Sequence, residues 1–104
     1  MPEMKFNGST FEVDPEGFLV NAQDWTRSFA EAVANQAGIR LNDRHWAVID
    51  FCRKDAEATG DAPGIRRITK VGKIPTKEIY QLFPGGPGKL SAKVAGLRKP
   101  TSCV

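Results

Sequence analysis

The sequence predicts a mainly α fold: a small orthogonal bundle of about five short helices, with an N-terminal β-hairpin and an irregular C-terminal arm. Three observations carry this expectation. Apolar residues recur at helical spacing in several segments between residues 25 and 94, and Gly- and Pro-rich stretches separate those segments. Ahead of them, Asn7-Gly8 joins two short runs in the manner of a type I′ hairpin turn.

In the hairpin, pairing Phe6 with Ser9 places Met4, Phe6, Phe11 and Val13 on one face. An isolated hairpin is marginal in water, so that face must lie on helices. Asp14-Pro15-Glu16-Gly17 reads as a β-turn, and Phe18-Leu19-Val20 as a short apolar link. The first helix is expected from a cap at Asn21 or Asp24, with Trp25, Phe29 and Val33 in one stripe and Gly38 at its end. A second helix starts from Asn42, carries Trp46, Ile49, Phe51 and Cys52, and dissolves at Ala58-Thr59-Gly60. Both tryptophans are expected in the core.

Asp61-Ala62-Pro63-Gly64 interrupts the chain. Ile65, Ile68 and Val71 then mark a short helix bearing Arg66, Arg67 and Lys70. After a turn at Gly72–Pro75, Thr76 is the expected N-cap of a helix over 77–83, in which Ile79, Tyr80, Leu82 and Phe83 read as core. Pro84-Gly85-Gly86-Pro87 ends that helix and starts the last, with Leu90 and Val94 one turn apart and Gly96 as the stop. Residues 1–104 form one domain, of which 97–104 is the arm.

Composition narrows the function. An apolar fraction of 40% and a charged fraction of 26% are those of an ordinary globular protein. No apolar run approaches the ~20 residues of a membrane helix, and Met1–Lys5 lacks the apolar core of a signal peptide, so the expected location is the cytoplasm, without a membrane partner. In that reducing compartment Cys52 and Cys103 are expected as thiols or transient redox groups. Charge is uneven: residues 1–60 carry six Lys/Arg against ten Asp/Glu, and residues 61–104 carry nine against two. The second half is a cationic surface suited to acidic partners or anions.

One histidine and two distant cysteines give no zinc spacing, no Cys-x-x-Cys and no catalytic triad, and no phosphate-binding loop is present. No metal or cofactor is expected. The chemistry falls to thiols and cations. Cys103 stands one residue from the C-terminus behind Arg98 and Lys99; these and Lys93 favour a thiolate, whereas the Val104 carboxylate opposes it. Cys52 follows Phe51 on an apolar helix and reads as core, and His45 as a packing or capping group. The segment 65–83 imitates a helix-turn-helix, with Arg66, Arg67, Lys70, Lys73 and Lys77 available to phosphates. Its second helix nevertheless looks like core, so binding to nucleic acid is only an alternative.

Several motifs together resemble one family. They are Asp14-Pro15-Glu16-Gly17-Phe18-Leu19, His45-Trp46, Ala62-Pro63 with Arg66 and Thr69-Lys70, Tyr80-Gln81-Leu82-Phe83-Pro84, and above all Lys93-Val94-Ala95-Gly96-Leu97-Arg98-Lys99-Pro100-Thr101-Ser102-Cys103-Val104. The chain resembles the DsrC/TusE family, small proteins allied to dissimilatory sulfite reductase and to the sulfur relay that supplies tRNA thiolation. The resemblance implies a helical domain with a mobile C-terminal arm, whose penultimate cysteine carries sulfur as a persulfide or meets a sulfite-derived intermediate at the reductase haem. Members that work with sulfite reductase have a second cysteine eleven residues earlier; here that position is Ala92. Arg98 also stands where proline is usual, and the segment between Lys70 and Tyr80 is shorter than in many members.

The expected function is thus a sulfur carrier that accepts persulfide sulfur on Cys103 and passes it to a sulfurtransferase or sulfite reductase protein. Arg66, Lys70, Arg98 and Lys99 are the expected sulfur-anion or docking residues. The alternatives are a sulfur-responsive regulatory or DNA-binding paralogue, and an accessory subunit of dissimilatory sulfite reductase.

Overall fold

The computed structural model describes residues 3–6 and 8–99. Strands β1 (Glu3–Phe6) and β2 (Ser9–Glu12) pair antiparallel in the expected register, Phe6 opposite Ser9 and Met4 opposite Phe11. Gly8 takes a left-handed φ of 82°, as a turn following position 7 demands. Met4, Phe11 and Val13 are buried, so the hairpin lays its apolar face on the helices, with Phe11 meeting Phe29 edge-on at 5.1 Å. At the turn Asp14 Oδ1 accepts the backbone N–H groups of Glu16 and Phe18, each at 2.9 Å, which returns the chain to bridge Val13 with Leu19.

The first helix begins later than the sequence suggests. Asn21 does cap, but it caps a single 3₁₀ turn, Ala22–Asp24; helix α1 spans Arg27–Gln36 from Thr26, whose hydroxyl accepts from Phe29 N at 3.2 Å. Trp25 therefore precedes α1 in extended backbone (φ −63°, ψ 139°), and its spacing to Phe29 and Val33 is not a helical stripe. Helix α2 spans Asp43–Thr59, as expected between Asn42 and Gly60. Its start is a capping box in which Asn42 Oδ1 accepts from Arg44 N and His45 N, and His45 Nδ1 accepts from Asn42 N. The Nε2–H of His45 is then available to the Leu82 carbonyl 2.8 Å away, so this buried histidine caps and packs as its position implied.

Helices α3 (Ile65–Lys70), α4 (Thr76–Leu82) and α5 (Pro87–Val94) complete the bundle. Thr76 is the first residue of α4 and not its cap; its hydroxyl instead bonds Thr69 at 2.9 Å, joining α3 to α4. Asp55 on α2 receives two bonds from Arg67 at 2.7 and 2.8 Å, and Arg44 makes a similar fork to Glu78. The centre of the core is Phe29, Phe83, Leu19, Ile49, Ile68 and Ile79, all essentially inaccessible. Both tryptophans, expected in the core, are only partly buried at its edge, Tyr80, also expected inside, is about half exposed, and so is Val71. Among the described residues no helix is long and apolar enough to cross a membrane.

Candidate functional site

Helix α5 ends where the arm begins, and how it ends decides where the arm starts. Ala95 and Gly96 close it in a Schellman motif: Leu97 N donates to Ala92 O at 3.0 Å and Gly96 N to Lys93 O at 3.1 Å, with Gly96 at φ +73°. That local motif leaves the carbonyls of Val94 and Ala95 without intrahelical partners. Both are taken by side chains distant in sequence. The indole Nε1–H of Trp25 donates to Val94 O at 2.9 Å, and Arg53 Nη1 donates to Ala95 O at 2.7 Å.

Arg53 does three things at once. Besides Ala95 it reaches Ala22 O at 3.2 Å, and its guanidinium carbon lies 4.3 Å from the centre of the Trp25 ring. A cation at the C-terminal end of a helix also complements the helix dipole. Burial lowers the pKa of this guanidinium, with the Glu57 carboxylate acting in the opposite direction; an arginine remains charged regardless. Leu97, the first residue of the expected arm, is itself packed into the core at 7% exposure. The chain is therefore anchored as far as Leu97.

Beside this root lies an open cleft of about 830 Å³, whose walls include Trp25, Arg53, Lys54, Glu57, Arg98 and Lys99. Asp50 and Asp61 also face it, so its charge is mixed. Arg98 and Lys99 thus come together with Arg53 and Lys54, and Lys99 pairs with Glu16 at 3.1 Å. That ion pair is exposed on both sides and contributes little to stability. Lys93 lies over the Phe18 ring, its Nζ 5.0 Å from the ring centre.

Arg66 and Lys70 are exposed on α3 and are not among the residues lining the cleft. Cys103 lies outside the described residues. Cys52 is fully buried, and its thiol is pushed up to about 12, first by burial and then by the Asp55 charge. A thiol so shifted is neither nucleophile nor sulfur acceptor at neutral pH. Arg67, counted with the phosphate-facing cations in the helix-turn-helix reading, is committed to Asp55. Two residues of the site, Trp25 and Arg53, had no sequence signal of their own: their partners are carbonyls 69 and 42 residues away.

A family model described as "DsrC like protein" matches residues 5–104. The chain is 42% identical to the gamma subunit of dissimilatory-type sulfite reductase of Nitratidesulfovibrio vulgaris, over the whole of both chains. It is 36% identical to the sulfurtransferase TusE of Yersinia pseudotuberculosis, covering 97% of this chain and all of that one. Among solved structures, a chain in the crystal structure of dissimilatory sulfite reductase I superposes with a TM-score of 0.88 at 42% identity, covering 99% of this chain and 100% of that one.

Proposed function

From the premise that this chain belongs to the DsrC-like protein family, we propose that it is a sulfur carrier whose working group is the Cys103 thiol. The observation that carries this reading is the extent of the family match, which runs through residue 104 and so includes Cys103. The chain's other thiol, Cys52, is excluded by burial.

In the proposed reaction the Cys103 thiolate attacks the outer sulfur of a donor persulfide. A new S–S bond forms on Cys103, the donor S–S bond breaks, and the donor leaves as a thiolate. An acceptor thiolate then attacks the outer sulfur held on Cys103, which departs as thiolate. Each step exchanges one S–S bond for another, so neither needs an outside oxidant or reductant. The cations Arg98 and Lys99 beside the arm's root favour anionic sulfur species near it.

Partners are sulfurtransferase or sulfite reductase proteins, met in the cytoplasm. Docking falls to Arg66 and Lys70. With Arg67 tied to Asp55 and Glu78 to Arg44, the α3–α4 face keeps Arg66, Lys70, Lys73 and Lys77, which form no ion pair among the described residues. The Thr69–Thr76 bond joins α3 to α4, and the exposed cations of these two helices suit an acidic protein surface. Binding of nucleic acid is not favoured, because the relatives are a sulfite reductase subunit and a sulfurtransferase.

The test is to incubate the protein with a persulfide donor and weigh it intact. One added sulfur atom, labile to dithiothreitol and absent from Cys103→Ala, is the expected result. An adduct that persists in Cys103→Ala refutes the site.

A further inference from the structure

The four carbonyls from Ala92 to Ala95, at the end of α5 and its cap, are all occupied, and by two different means. Ala92 and Lys93 are served by the chain's own turn, whereas Val94 and Ala95 are served by Trp25 and Arg53 from elsewhere in the fold. Ordinary helix ends leave such carbonyls to water, which leaves the following segment free to reorient. Here the last peptide groups before the arm are tied to the segment ahead of α1 and to α2 by one stacked pair of side chains. We propose that Arg53 and Trp25 are positioning residues, a clamp that fixes the direction in which the chain leaves the fold and thereby the region of space that Cys103 visits. This rests on the carrier reading only for its purpose; the geometry of the clamp is independent of sulfur chemistry.

Three features argue that the clamp is built for direction and is more than a general contribution to stability. Arg53 joins both sides of the exit, Ala95 after α5 and Ala22 before α1, so one guanidinium sets the angle between them. Its stacking on Trp25 holds the indole at the one orientation in which Nε1–H meets Val94 O. Gly96 completes the device, because a side chain there would overlap the indole, with Cβ only 2.7 Å from Trp25 Cγ. Beyond the clamp Leu97 is still buried, and only at Arg98 does the chain become exposed. Cys103 is the sixth residue after Leu97, a reach of roughly 20 Å when extended. Over so short a tether the starting direction restricts where the thiol goes.

The experiment attaches a nitroxide label to Cys103 of the full chain; burial keeps Cys52 from reacting. Paramagnetic broadening of backbone amides then maps the surface the arm visits. In the wild type the broadened amides cluster around the cleft, and in Arg53→Ala and Trp25→Phe they spread to other faces. Native-state hydrogen exchange on the same proteins separates positioning from stability. Exchange at Gly96 and Leu97 rises roughly tenfold more than at Val48 and Ile49, whose amides report global opening. Arg53→Lys keeps the charge but has no planar fork, and behaves like Arg53→Ala. An unchanged broadening map, or an equal rise in exchange at all four amides, overturns the proposal. Trp25→Phe removes only the indole donor and serves if Arg53→Ala does not fold. Loss of the persulfide adduct without change in these maps would instead count against the carrier reading alone.

Discussion

Replacing Gly96 by alanine tests the root of the arm most sharply, because a second glycine supplies the control. Gly96 has φ +73° and Gly38, just beyond α1, has φ +75°; a Cβ at Gly38 meets nothing within 4 Å. Gly38→Ala therefore reports the left-handed backbone penalty alone, about 1 kcal/mol. Gly96→Ala incurs the same penalty and must also push the indole aside. Moving Trp25 costs its hydrogen bond to Val94, about 1 kcal/mol, and its stacking with Arg53, about 1 kcal/mol more. The expected loss is then about 3 kcal/mol against about 1. At about 4–8 °C per kcal/mol for a domain of this size, Tm falls by roughly 12–24 °C in Gly96→Ala and roughly 4–8 °C in Gly38→Ala. Thermal and urea unfolding by circular dichroism measure both. Equal losses would mean that Trp25 gives way at no cost, and would refute the description of a rigid clamp.

Three further outcomes follow from the same geometry. Iodoacetamide at pH 8 modifies one thiol per native chain and two in denaturant; because the Cys52 thiol is raised to about 12, folding stability declines as pH climbs from about 8.5 toward that value, and Cys52→Ala, which carries no thiol to titrate, loses this decline. The hydrogen bonds from Arg67 hold the Asp55 carboxyl below the usual range, against the effect of burial, so its contribution is present above the ordinary carboxylate pKa and is lost as pH falls through the lowered one. Urea midpoints between pH 6 and pH 2 therefore fall less steeply in Asp55→Asn than in the wild type. On α3, Arg66→Glu combined with Lys70→Glu changes stability by less than about 0.5 kcal/mol per site, yet slows sulfur transfer to a protein acceptor, and by a smaller factor as salt is added. Equal slowing with dithiothreitol as acceptor would show that the substitutions had disturbed Cys103 itself.

Much of the fold was legible because its signals are local. Asn42 and Gly60 bound α2 as they stand in the sequence, and β1 and β2 pair in the register that the Asn7-Gly8 dipeptide predicts. Trp25 misled for a physical reason: its spacing to Phe29 and Val33 fits a helix, but Thr26 offers a better cap and the indole has a distant partner that no periodicity can show. Tyr80 lies on α4 and Phe83 is the residue that caps its C-terminal end, and only tertiary packing decides that Phe83 is buried while Tyr80 is half exposed. Thr76 failed as a cap because its hydroxyl is bonded to Thr69 on the preceding helix. The candidate site divides in the same way. Cys103 and its flanking cations are covalent neighbours, so their proximity along the chain stands in the sequence itself. Arg53 sits in the middle of a helix, and nothing in its surroundings there announces that it reaches Ala95.

The single-thiol arrangement constrains the chemistry further. At the position where the family resemblance leads to the expectation of a second cysteine this chain has Ala92, which is 1% exposed and whose carbonyl receives the Leu97 N–H of the Schellman turn. The only other sulfhydryl, on Cys52, lies at the centre of α2 with a pKa near 12. A persulfide formed on Cys103 thus has no internal thiolate to displace it. Its sulfur must leave by attack from another molecule, and the geometry of that encounter is set jointly by the partner and by the point at which the arm departs from the fold. On the proposed carrier reading the end of α5 is then more than a helix terminus: with no resolving thiol on the same chain, a direction set by the bonds of Trp25 and Arg53 would bear on which acceptor the sulfur reaches.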